Sequence, residues 1–272
     1  MSIVKGRRLQ AYKDFTHYLS IPLATCSSRP QLHASFARFE RETSSIIPEG
    51  SVCNPDFVKL AMGRLKLDTK ERVDACSKHL HGLDMREMLR VAAVNATGNP
   101  PRFTDLPYND DAPPAFGMAV TVDSSQLKVD ISGLLSPFVS PSQTGIISAS
   151  AIDRTHRLQH FKHILLSSLF KADFLVTAYH NNNVTIVSTA IPSTWGYKAV
   201  YDRKTERWFH PGRPRSPKFD ARDLIRGWKD HDWATNIQLE KLAVYALGSR
   251  ERLPGGGARE KQMTEIDSIA LP

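Results

Sequence analysis

Asn183-Val184-Thr185-Ile186-Val187-Ser188-Thr189 leaves the polar run Asn181-Asn182-Asn183 as a string of β-formers. It reads as a strand that carries Thr185 on one face. Val58-Lys59-Leu60-Ala61-Met62-Gly63-Arg64-Leu65-Lys66-Leu67, far earlier in the chain, has the same character. Two matched strands at this separation constrain the fold more than any other feature. They predict two similar lobes, each giving one strand to a shared groove. A length of 272 residues suits one large domain or two intimate lobes and can bury a sizeable core.

The rest of the pattern interleaves strands and helices. Thr16 to Leu23 predicts a strand ending at Pro22. Leu32, Phe36 and Phe39 at helical spacing predict an amphipathic helix over 31–42. Asp68 or Thr69 caps a helix running through Val73, Cys76 and Leu80 to about Leu83. Met88–Val94 and Phe116–Val122 are expected as strands, Gly98–Pro114 as a surface loop, and Ser124–Phe138 as a helix with Leu127, Val129, Leu134 and Leu135 on one side. Leu158–Phe170 is expected as a helix, with Asp153 and Thr155 as candidate caps. It is followed by a strand over 184–191, a helix opening at Asp220, a strand over 239–247 and a last strand over 266–271 that closes a long hairpin through the turn 254–257. Interleaved elements with hairpins favour α+β with antiparallel sheets over a doubly wound parallel sheet.

Several chemistries are disfavoured. Cys26, Cys53 and Cys76 are odd in number and none sits at CxxC spacing, which argues against a disulfide framework or zinc site and suits a reducing compartment. No GxGxxG or GxxxxGKS occurs, so no cofactor is expected, and no apolar run is long enough to predict a membrane span or a secretory leader. His156, His160 and His163 share a helical face, but with no HExxH they read as a solvated polar face and not as a metal site. His17 reads as structural, and His231, between Asp230 and Asp232, as a surface-loop residue.

A net charge of +8 points to a polyanionic partner. The segment 195–218 concentrates it. Lys198, Arg203, Lys204, Arg207, Arg213, Arg215 and Lys218 stand against Asp202 and Glu206, seven against two for a net +5, interleaved with Tyr197, Tyr201, Trp208 and Phe209. Arginine for phosphate and aromatics for base stacking is the mix expected for single-stranded nucleic acid. A solvated twisted hairpin over 201–208 is the other reading of the same residues.

Four stretches carry a resemblance to the 2H phosphoesterase superfamily, in the branch of the A-kinase anchor protein 7 phosphoesterase-like domain and of subunit 1 of the activating signal cointegrator complex. They are Thr16–Leu23, Val58–Leu67, Asn183–Thr189, and Lys218–Leu224 with Trp233 and Leu239–Leu247. The likeness covers about 14–271, with insertions expected near 98–114 and 171–182. Residues 1–13 read as a basic arm, and the resemblance implies one bilobal domain over 14–272, with antiparallel sheets facing each other across a central groove.

In that superfamily each lobe presents His-x-Thr on a strand. The two His serve as general base and general acid on a 2',3'-cyclic or 2',5'-linked phosphodiester, and the Thr hydroxyls hold phosphate oxygens. Positions i and i+2 of a strand share a face, and imidazole titrates near neutrality. This chain has Lys59 and Ala61 at the first motif and Asn183 with Thr185 at the second. Both imidazoles are replaced. The resemblance then implies a non-catalytic groove that binds phosphate through Lys59 and Thr185, with RNA held also by Lys198, Arg203, Lys204, Arg207, Trp208, Arg213 and Arg215. It further implies a place in the nucleus or cytoplasm, within a helicase-containing coactivator or repair assembly. Two alternatives remain: an active phosphodiesterase with a rearranged site using His180 or Lys59, and a protein-interaction scaffold.

Overall fold

A computed structural model of the chain describes residues 15–96, 126–135, 141–188, 200–202, 207–209, 218–246, 250–252, 258–260 and 263–272. Two antiparallel sheets form the body, and β11 (Arg250–Arg252) pairs with β12 (Ala258–Glu260) in a separate two-stranded ribbon. The first has the order β13 (Thr264–Ala270), β10 (Lys241–Ala246), β1 (His17–Pro22), β2 (Lys59–Leu65), β5 (Leu175–Ala178). The second has the order β6 (Asn183–Ser188), β4 (Ile146–Ile152), β3 (Lys128–Leu135), β9 (Asp232–Gln238). β2 and β6 lie against each other where the lobes meet, and the segment just before β2 pairs with β6 through Cys53 N to Ile186 O and Ser188 N to Ser51 O. The chain is α+β, with two lobes across a groove, as its sequence predicts.

Helices cover one face of each sheet, and two of them cross between lobes. α1 (Arg29–Thr43) follows β1 of the first sheet yet packs on β9 of the second. There Phe36 and Phe39 meet the fully buried Trp233 edge-on, at centroid distances of 5.2 and 5.1 Å. In return α4 (Arg157–Lys171) follows β4 of the second sheet and packs on β2 and β5 of the first. α2 (Lys70–His81) reaches β13, where Ser77 and His81 both bond Asp267. This exchange buries each helix stripe against the sheet it did not come from and ties the lobes together.

Caps set the helix starts. Thr69 Oγ1 accepts from Arg72 N, and Asp153 Oδ2 accepts from Leu158 N at 2.6 Å. Asp84 Oδ1 accepts from Glu87 N and opens α3 (Met85–Asn95), which packs on α4 with Met85, Met88, Leu89 and Ala92 buried. The strand expected at Met88–Val94 is therefore a helix. The capping aspartate and the i, i+3, i+4, i+7 spacing outweigh the β-branched valines.

Ser124–Phe138 is corrected the other way, since its described part is β3. Gly133 is at φ +65 and shifts the register, so that Ile131, Leu134 and Leu135 fall at helix-like spacing within a strand. The region 171–182 holds edge strand β5. β4 and β9 were not anticipated. The residues 98–114, 116–122 and 254–257 lie outside the described residues, as does the arm 1–13.

At Gly133 an added Cβ would lie 2.6 Å from the carbonyl oxygen of Lys229, in a backbone region that disfavours side chains. Gly133→Ala is expected to destabilise the protein by at least about 1–2 kcal/mol, read as a lower denaturant midpoint with an unchanged slope.

Candidate functional site

The groove walls follow from strand register. In β2, Lys59 and Ala61 are half-exposed and alternate with the buried Leu60 and Met62. Ser20 then pairs with Ala61 and Leu19 with Gly63, so Met62 is an extra residue in the ladder. The bulge reverses the alternation. Gly63 turns to the helix side, where an added Cβ would meet Leu175 at 2.8 Å and Leu166 of α4 at 3.4 Å, and Arg64 returns to the groove.

β6 repeats this pattern. Ser148 pairs with Thr185 and Ile147 with Val187, so Ile186 is the extra residue. Asn183, Thr185 and Ser188 face the groove, while Val184, Ile186 and Val187 are buried beneath. The register breaks fall three positions after Lys59 and three positions after Asn183. Lys59 is therefore the counterpart of Asn183, Ala61 of Thr185, and Arg64 of Ser188. Lys59 and Asn183 thus stand at matching register in β2 and β6, and neither is a histidine.

Register also gives the surroundings. On the second sheet, Ser132 pairs with Ser150 and Ser150 with Asn183, while Ser148 pairs with Thr185. The result is a wall of hydroxyls and one amide, with Thr185 exposed. On the first sheet, Ser20 lies between Ala61 and Ala243, a row of small residues. Beside it, Tyr18 pairs with both Arg64 and Tyr245. The Arg64 guanidinium lies 4.6 Å from the Phe15 ring centroid and 5.4 Å from that of Tyr179. Lys241 and Tyr245 both bond Glu265.

The Lys59 ammonium lies along its own sheet, 4.2 Å over the Tyr245 ring and 3.0 Å from the Met263 sulfur. Burial lowers its pKa. Burial and the neighbouring Glu265 push the Tyr245 phenol up to about 12, so it stays protonated. The groove thus offers cations and aromatic rings on one wall and hydrogen-bonding groups on the other. Such an arrangement can hold a phosphate-bearing ligand but has no neutral-pH acid–base pair at the motif positions.

His180 does not fill the gap. It follows Tyr179, whose ring sits with Arg64, and it faces α4, with Lys162 and His163 close enough to depress it electrostatically. Burial and these neighbours lower it to about 4. The histidine face expected on α4 is not solvated. His156 stands before the helix in a left-handed conformation and His160 is buried. The turn between β5 and β6 covers this face, which the helix pattern alone could not show. Lys162, fully buried among these groups, was not singled out by its sequence.

Among the described residues no group of three His, Cys, Asp or Glu is placed to hold a metal. His17 is buried and bonds Thr16, as a structural residue would. His231 is not a loose surface residue. Its ring packs edge-on against Trp228 at 4.5 Å and Trp233 at 5.0 Å.

Of the basic segment 195–218, Val200–Asp202 (β7) pairs with Arg207–Phe209 (β8), and Tyr201 is opposite Trp208. The two strands of the hairpin reading therefore pair. Lys198, Arg203, Lys204, Arg213 and Arg215 lie outside the described residues.

The chain is similar in fold to several solved structures. It aligns with the crystal structure of a phosphoesterase at 12% identity, covering 94% of this chain and 98% of that one, with a TM-score of 0.39. It aligns with E. coli LigT complexed with 3'-AMP at 10% identity, covering 94% and 97%, with a TM-score of 0.36. It aligns with TT0787 of Thermus thermophilus at 11% identity, covering 94% and 97%, with a TM-score of 0.43. No protein-family model and no curated protein matches the chain.

Proposed function

We propose that this protein is a 2H phosphoesterase-like groove that has lost its catalytic imidazoles and binds single-stranded RNA or a related phosphate-bearing ligand without cleaving it. The observation that carries the reading is the shared bulge. It puts Lys59 and Asn183 at equivalent places on the two walls, and neither side chain there is an imidazole. Phosphate oxygens are received by the Thr185 hydroxyl and by the ammonium of Lys59, which swings off Tyr245 to meet them. The net charge of +8 and the basic aromatic segment 195–218 support RNA as the ligand class. A nuclear or cytoplasmic setting, and assembly with a helicase-containing coactivator or repair complex, belong to the proposal and rest on the branch resemblance of the four sequence stretches.

Filter binding of a single-stranded RNA oligonucleotide over a salt series tests it. Affinity is expected to fall with salt, and Lys59→Ala is expected to flatten the log–log slope by about 0.7, the share of one phosphate contact on a single strand. Salt-independent or absent binding favours the scaffold reading.

One observation favours a second reading, an active phosphodiesterase. Burial lowers the pKa of Lys59 and so moves it towards the range of a useful acid–base group. Turnover of a 2',3'-cyclic phosphate that Lys59→Ala abolishes would establish it.

A further inference from the structure

Lys162 lies on the inner side of α4 with no exposed surface, between the fully buried Leu158 and Leu166. Methionine would fill a similar volume with no ammonium to desolvate. Its Nζ donates to the Asn181 carbonyl at 2.9 Å and to Asn182 Oδ1 at 3.0 Å. One helical turn earlier, Gln159 Nε2 donates to the His180 carbonyl at 3.4 Å. Three successive residues of the β5–β6 turn are thus held by α4, and the next residue is Asn183, the first groove position of β6. From the other side, Ala151 N of β4 donates to the Asn182 carbonyl at 2.8 Å, so the turn is clamped between helix and sheet.

We propose that Lys162 is the positioning residue of the groove's second wall, a latch that seats the Asn181–Asn182 turn and so sets where Asn183 and Thr185 enter the groove. The consequence for ligand rests on the reading of the groove as a phosphate site. The latch itself does not.

Among the described residues, the titratable groups near Lys162 are imidazoles. His180 on the turn and His163 on the helix lie in its electrostatic field or next to it, and His160, itself buried, couples to His163 and His156. Among the described residues no carboxylate pairs with Lys162. Burial lowers it from its ordinary 10.5 to about 7. When the turn opens and Nζ meets water, the ordinary value returns. Between about pH 7 and 10.5 the open turn therefore holds more protons than the closed one, so opening becomes rarer as pH rises. Below pH 7 this contribution is flat. His180 acts in the same sense between about pH 4 and 6.5.

Amide hydrogen exchange across 181–185, corrected for intrinsic rates and measured without ligand, reads the latch. In the natural protein, protection there is expected to rise by up to about tenfold per pH unit from pH 7 to 9. Lys162→Met is expected to lose that rise, with α4 itself still protected. A pH-independent turn in the natural protein, or a rise that persists in Lys162→Met, overturns the proposal. Should Lys162→Met not fold, Asn182→Ala decides, because it removes one acceptor and leaves the helix packing alone. Undiminished protection at 181–185 in that variant also overturns it. If the latch behaves as expected while single-stranded RNA fails to bind, the groove reading falls and the assignment of Lys162 stands.

Discussion

A protein carrying Lys59→His, Ala61→Thr and Asn183→His is expected to hydrolyse a 2',3'-cyclic nucleotide at least about 10²-fold faster than the natural chain. The expectation follows from register. The bulges at Met62 and Ile186 place positions 59 and 61 on one wall as they place 183 and 185 on the other. Thr185 is already in place. The three substitutions complete His-x-Thr on both strands, one imidazole to remove a proton and one to give it to the leaving oxygen. A positioned acid–base group contributes roughly 10²–10⁴ in rate, so restoring two leaves a wide margin above the background. Lys59→His also removes the ammonium now lying on Tyr245 and frees the space over Ser20, Ala61 and Ala243. Steady-state hydrolysis, with folding checked by circular dichroism, measures it. A folded triple variant no faster than the natural protein would show that the two strands do not address one phosphate.

Trp233→Ala is expected to have the largest effect on stability among single changes. Trp233 is fully buried, meets Phe36 and Phe39 edge-on, stacks with Trp228 at 5.6 Å, and donates from Nε1 to the Gly133 carbonyl at 2.9 Å. Truncating a buried tryptophan costs about 3–5 kcal/mol, because the lost contacts leave a cavity. The Gly133 carbonyl also loses its donor. The midpoint of thermal unfolding is expected to fall by roughly 10 °C. Because α1 comes from the first lobe and Trp233 from the second, this loss also loosens the tie between lobes. A fall of only a degree or two would mean that α1 does not anchor the second sheet as described.

The sequence carried much of this architecture, and its failures have physical causes. The strand ending at Pro22 and the helices built on Leu32, Phe36 and Phe39 and on Leu158, Phe161 and Leu165 were legible from periodicity alone. At Met88–Val94 the valines suggested a strand, while the signal that mattered was Asp84 accepting from Glu87 N. At Lys128–Leu135, Gly133 breaks the two-residue alternation and leaves helix-like spacing behind. β4 is rich in serine and alanine, and two of its three isoleucines, Ile146 and Ile152, stand exposed at the ends, so its polarity hid a strand.

The site divides in the same way. Lys59, Asn183 and Thr185 were singled out by the resemblance of their two strands to His-x-Thr motifs, and strand alternation supplied only which of them share a face. Arg64 was not. Simple alternation from Lys59 sends it to the helix side, and only the extra residue Met62 brings it back. Gly63 was the available signal, since a glycine inside a strand often marks a bulge. Lys162 was hidden for a different reason. Its burial depends on a turn some twenty residues later in the chain, and no local pattern reports a cover that tertiary folding supplies.

We propose that the groove binds a phosphate-bearing strand and does not cut it. The most direct test is one sample of the natural protein titrated with a short single-stranded RNA ending in a 2',3'-cyclic phosphate, with bound fraction and product measured together. The account predicts salt-dependent binding that weakens in Thr185→Ala, and no product above the buffer control. Turnover that disappears in Lys59→Ala or His180→Ala would contradict it.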